Sequence, residues 1–173
     1  MARRWQILGM ALCGCLWAAD AHAYEDQLTL AVGPGYAHGD ELLGHGGLLD
    51  LAVGMGLDDI WTVRLRVTGL LHPEDSDGRP TVHAALVGGE LLYLVDVLEW
   101  VPYVGVGVDG LVLASSGELD GGGGAHIVAG LDYLPTREWI FGLDVRTLYA
   151  SSGPGQILPG VLATLSVQRV LEL

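Results

Sequence analysis

The sequence predicts an all-β protein: a closed antiparallel up-and-down transmembrane β-barrel of about eight strands behind a cleaved N-terminal signal peptide. Three observations predict it. The stretch Ile127 to Tyr149 alternates apolar and polar residues with period two, which is a strand pattern, around a Pro- and charge-containing break at Leu134 to Glu138. Each tryptophan beyond the N-terminal segment, Trp61, Trp100 and Trp139, opens a strand just after a short break and falls on the apolar face. The breaks between strands alternate short and long, as short turns at one end and loops at the other would.

Composition narrows the class. Of 173 residues, 50% are hydrophobic and mean hydropathy is +0.41, yet no run of about 18 uncharged apolar residues follows the N-terminus. Apolarity spread over alternating positions suits a membrane barrel. Acidic residues number 21 against 8 basic ones, all arginine, so no basic stripe exists for nucleic acid.

Residues 1–23 have the layout of a secretory signal: Arg3 and Arg4, an apolar segment Ile7 to Ala19, and Ala21-His22-Ala23 as cleavage site. The barrel domain is then 24–173, starting at Tyr24. A competing reading takes Leu12-Cys13-Gly14-Cys15 as a lipobox with Cys15 lipidated. Both cysteines lie in this segment, so cleavage after Ala23 leaves no disulfide or thiol chemistry.

In chain order, the first strand, 27–36, puts Leu28, Leu30, Val32 and Tyr36 outward. A long polar break, 37–46, follows. The second, 47–57, has Leu49, Leu51 and Val53 out and Asp50, Ala52 and Gly54 in. A tight break at Asp58-Asp59-Ile60 leads to the third, 61–70, with Trp61, Val63, Leu65 and Val67 out and Arg64, Arg66 and Thr68 in. An acidic break, 72–80, precedes the fourth, 81–94, which places Val87, Leu91 and Tyr93 out and Glu90 in. The fifth, 100–113, has Trp100, Val104, Val106 and Val108 out and Tyr103, Gly105, Gly107 and Asp109 in. A long break is expected at 114–124 because it ends in four glycines. The sixth and seventh strands are the hairpin around 134–138. The eighth, 157–173, has Val161, Leu165 and Val167 out and Thr164, Ser166 and Gln168 in.

Parity thus sorts the chemistry. Trp61, Tyr93, Trp100, Tyr133 and Trp139 cluster at the short-turn rim, with Tyr36 and Tyr149 at the opposite rim, the layout of interfacial aromatic girdles. The inward face carries Arg64, Arg66 and Arg146 against Asp50, Glu90, Asp109, Asp132 and Asp144. Buried charges must pair, so an ion network filling the lumen is expected. A lumen of this strand number is just filled by side chains, which disfavours a gated pore.

The chain resembles the small outer-membrane β-barrels of the OmpA-like, opacity type. The resemblance rests on Pro102-Tyr103-Val104-Gly105-Val106-Gly107, on Ala129-Gly130-Leu131-Asp132-Tyr133 with Trp139, and on Gly142-Leu143-Asp144-Val145-Arg146. It implies an outer-membrane location, outer-membrane lipid as surroundings, insertion by the barrel-assembly machinery, and a structural or interaction role without cofactor; it indicates no particular extracellular partner. Such barrels usually end in an aromatic residue; this chain ends in Leu173, and Arg169 interrupts the outward apolar row near the lower rim, where it can snorkel.

Residue spacing also bears on other chemistries. His38, Asp40, Glu41 and His45 offer metal-ligating types without a strict ligand spacing. Asp75-Ser76-Asp77-Gly78 is a fragment of a calcium loop lacking the later glutamate. Barrels that modify lipid A, of the deacylase type, carry His-x-Ser, and none of His38, His45, His72, His83 or His126 has serine two residues on. A catalytic group drawn from loops would combine Ser115, Ser116, Ser151 or Ser152 with His38, His72 or His126. A soluble or lipid-anchored periplasmic barrel holding an apolar ligand would need leucine and valine inward, where parity puts arginine and aspartate.

Overall fold

The structure, a computed structural model, describes residues 27–39, 44–73, 81–95, 99–115, 118–151 and 157–172. They form β1 (Gln27–Gly39), β2 (His45–Gly56), β3 (Trp61–His72), β4 (Val82–Leu94), β5 (Trp100–Ser115), β6 (Glu118–Tyr133), β7 (Trp139–Ser151) and β8 (Ile157–Glu172). Each strand pairs antiparallel with its sequence neighbours, and β1 pairs with β8, so the sheet closes. Closure leaves no open sheet edge, which allows the backbone hydrogen bonds of every strand to be met within the wall. The signal and lipobox readings, and Leu173, lie outside the described residues.

The alternation read in the sequence sets which side chains face the inside. On β7, Trp139, Phe141, Leu143, Val145 and Tyr149 are exposed, while Gly142, Asp144 and Arg146 are buried. On β3, Leu65 and Val67 are exposed and Arg64, Arg66 and Thr68 buried. The exposed apolar positions run around the whole wall, from Leu30 and Leu51 through Val87 and Val106 to Leu143 and Leu165. Apolar residues exposed singly are ordinary, whereas a continuous belt of them is a surface that water does not tolerate.

Three parts of the sequence reading are corrected. The long break expected at 114–124 is strand: Ser115 pairs with Glu118, and the glycines Gly121 to Gly124 continue β6 against β5. Glycines lack side chains to show alternation, but their backbone groups are satisfied from the neighbouring strand. His72, taken as the start of a loop, is the last residue of β3 and is buried inside the barrel. The first strands also run further than expected, with His38 paired to His45, so the first long connection is shorter than 37–46. The upper half of β4, which alternates poorly in sequence, keeps unbroken register with β3 and β5.

The interior is layered. At the long-loop end it is apolar: Leu48, Leu70, Leu86, Leu111, Leu148 and Leu162, with Ala37 and Ala150, form one buried cluster. Charged side chains fill the middle. Below them Leu92, Tyr103 and Val128 make a second small cluster. The leucine tier shares the parity of the charged row, and parity alone could have placed it.

Candidate functional site

The middle layer is built by side chains projecting from opposite walls. Asp50 on β2 accepts from Arg66 and Thr68 on β3, from Arg146 on β7 at 2.8 Å and from Thr164 on β8 at 3.2 Å. Arg66 also reaches Asp144 at 3.2 Å and, through Nε, Glu90 at 3.0 Å. Arg64 donates from Nε to Glu90 at 2.6 Å. Arg146 completes the group with Thr68 at 3.2 Å.

His126 on β6 joins this network. Its Nδ1 lies 2.5 Å from Asp109 Oδ2 and its Nε2 3.0 Å from Glu90 Oε1. Ionised carboxylates only accept, so this geometry fits an imidazolium donating from both nitrogens. Arg64, Arg66, Arg146 and a charged His126 then oppose Asp50, Glu90, Asp109 and Asp144, four charges against four. Burial of ions is affordable only when they are paired and hydrogen-bonded in this way.

Of the residues the sequence placed in the lumen, Asp132 stands apart. It accepts from Gln168 Nε2 at 3.1 Å near the short-turn end and makes no ion pair among the described residues. His126 was missed as a network member, having been weighed as a loop residue. Its parity with Val128, Gly130 and Asp132 was the signal that puts it inside. Two glycines make room for the larger side chains: a Cβ at Gly107 would lie 2.4 Å from the His126 ring, and one at Gly130 would lie 2.3 Å from the Tyr103 ring.

The rim aromatics meet across strands. Trp61 packs edge-on to Tyr93 with ring centres 5.2 Å apart, and Trp100 stacks on Tyr133 at 4.5 Å. Trp139 pairs in register with Arg169, whose guanidinium lies 5.2 Å over its ring and 3.5 Å from Glu138. At the other rim the Tyr36 hydroxyl bonds His45 Nδ1, while Tyr149 is exposed.

The loop-borne catalytic group is corrected: His72 and His126 are strand residues buried inside, and His126 meets a carboxylate at each nitrogen. Ser116 and Ser152 lie outside the described residues. So do Asp40, Glu41 and the calcium-loop fragment, while His38 and His45 stack on each other at 4.7 Å. Among the described residues, no group of three or more His, Cys, Asp or Glu is placed to hold a metal ion.

No protein-family profile matches the chain, and no curated protein does. Solved structures do. Neisserial surface protein A is 15% identical, with 86% of this chain and 97% of that chain covered and a TM-score of 0.65. The N-terminal β-barrel domain of Pseudomonas aeruginosa OprF is 18% identical, with 84% and 98% covered and a TM-score of 0.64. The outer membrane protein AlkL, solved in lipid bilayers, is 18% identical, with 91% and 96% covered and a TM-score of 0.57. The chain therefore has the fold of the small eight-stranded outer-membrane β-barrels.

Proposed function

We propose that this chain is an integral outer-membrane barrel with a structural or interaction role and no catalysis, its lumen plugged by the ion network and its acidic loops presented outside. One observation carries the reading: the wall is apolar outward and charged inward, the reverse of a protein dissolved in water. The lipid of the outer membrane meets the apolar belt, and Trp61, Trp100 and Trp139 mark the interface at the short-turn rim. The barrel-assembly machinery inserts it. The leucine tier above the ion layer supports a plug, since ions crossing the lumen would have to cross both.

Membrane fractionation with heat-modifiable gel mobility tests this. The protein is expected to stay in the carbonate-washed membrane pellet and to migrate differently before and after boiling. Release by carbonate, with one unfolded band in unheated detergent samples, overturns it.

A further inference from the structure

The β1–β2 hairpin carries two histidines that the ion network does not use. His38 and His45 are direct cross-strand partners at the long-loop end, and both are exposed on the outer face. Gly39 N–H donates to the Gly44 carbonyl at 2.9 Å. The next pair down, His38 with His45, is therefore a non-hydrogen-bonded pair, the kind whose side chains lie closer. Their rings stack with centres 4.7 Å apart and planes 29° apart. The Tyr36 hydroxyl bonds His45 Nδ1 on the same face. Among the described residues neither histidine is ion-paired, in contrast to His126. Tyr36 belongs to the rim aromatics, and His38 lies two residues, about 7 Å, further toward the loops, where water reaches it.

We propose that His38 and His45 clasp one divalent transition-metal ion, copper(II) most tightly, between their imidazoles at the outer rim. A metal–nitrogen bond of about 2.0–2.1 Å puts the ring centre about 3.1 Å from the ion, so two imidazoles on adjacent positions of one ion have centres about 4.4–5.1 Å apart. The observed 4.7 Å lies within that range. The outer torsion of a histidine is soft, so the His38 ring turns at little cost to aim at an ion held by His45. In the tautomer that donates Nδ1–H to the Tyr36 oxygen, His45 Nε2 keeps its lone pair for the metal. Holding the second ring nitrogen is how a metal-ligating histidine is oriented, so Tyr36 is a positioning residue. Imidazole selects copper, nickel and zinc, whereas calcium and magnesium take oxygen ligands. Two imidazolium rings this close would repel, so the pair suits a metal, which binds the neutral rings, better than an anion. A chain of net charge −13 draws cations to its surface. Two protein ligands leave the remaining positions to water, which makes an open, exchangeable site and not a closed structural one. This inference rests on the β1–β2 register and does not need the role proposed above.

The test uses untagged protein made from residue 24 onward, in nanodiscs of a zwitterionic lipid, with empty nanodiscs as the blank. Cu²⁺, Zn²⁺ and Mg²⁺ are titrated at constant pH, and electron paramagnetic resonance reads the nitrogens bound to copper. Saturable binding of one Cu²⁺ per chain is expected, with two imidazole nitrogens in its spectrum, Zn²⁺ weaker and Mg²⁺ not bound. Tyr36→Phe should keep both nitrogens and weaken Cu²⁺ about tenfold, and His38→Gln and His45→Gln should each lose one nitrogen and at least as much affinity. His83→Gln, which changes an exposed histidine on β4, should leave binding as it was. Heat-modifiable mobility checks that the variants fold. If one histidine variant fails to fold, the other and the nitrogen count of the parent decide. A copper spectrum without a second imidazole nitrogen, or affinity unchanged in folded His38→Gln and His45→Gln, or affinity lost in His83→Gln, overturns the proposal. Unchanged affinity in Tyr36→Phe overturns the positioning role. Those outcomes leave the membrane assignment standing, because fractionation tests that separately.

Discussion

Arg146 on β7 reaches across the lumen to Asp50 on β2 at 2.8 Å, tying together walls that are separated in the sheet by β8 and β1. Asp50 also holds Arg66, so one carboxylate pins two guanidinium groups. Asp50→Asn keeps the shape and removes the charge. It should destabilise the folded barrel by about 3–5 kcal/mol, because two buried cations lose their shared anion. Urea unfolding followed by gel mobility would measure this, and a loss under about 1 kcal/mol, the range of an exposed pair, would show that the network is solvated.

Gly130 lets the Tyr103 ring lie against the backbone of β6. A Cβ there would come within 2.3 Å of the ring and 2.8 Å of the Leu143 carbonyl oxygen. Gly130→Ala should therefore cost about 1–3 kcal/mol by overpacking. Adding Tyr103→Leu should recover part of the loss. A Gly130→Ala protein as stable as its parent would contradict the inward placement of Tyr103.

Depth along the wall should be readable in cost. Val106 lies midway along β5 and faces outward, whereas Leu171 lies near the short-turn rim on β8. Val106→Arg is expected to cost about 2–4 kcal/mol in a bilayer and Leu171→Arg about 0–1 kcal/mol. Equal costs, measured by unfolding from liposomes, would remove the hydrocarbon from the account.

Arg169 occupies the rim position that Tyr93 and Tyr133 hold opposite the other two tryptophans, and it does so by lying over Trp139. Its exposed pair with Glu138 adds little. Arg169→Ala should cost about 0.5–1 kcal/mol, the size of an exposed cation–π contact, and Arg169→Tyr should recover it. The double change with Trp139→Leu would separate the ring contact from the salt bridge.

Much of this architecture was legible because a barrel wall has one repeating rule. Once Trp139 is set outward, Asp144 and Arg146 must be inward, and register carries that choice to β8 and β6. Two things lay beyond the rule, and a third, the leucine tier, obeyed it without standing out. Gly121 to Gly124 have no side chains to alternate, so β6 was shortened in the reading. The inward leucines Leu48, Leu86 and Leu148 are of the same types as the lipid-facing ones, so composition hid the apolar tier. Pairing across the lumen, such as His126 with Glu90, depends on which strands face each other after closure, which alternation along one strand does not encode.

The direction of the outward row decides the whole account, and it can be measured at one position. In a protein made from residue 24 onward, which omits Cys13 and Cys15, a single cysteine at Val106 can carry a fluorophore after reconstitution with lipids brominated midway along their chains. Strong quenching by those lipids, with none from iodide in water, is expected at Val106. Quenching by iodide at Val106, without quenching by the brominated lipids, would contradict it.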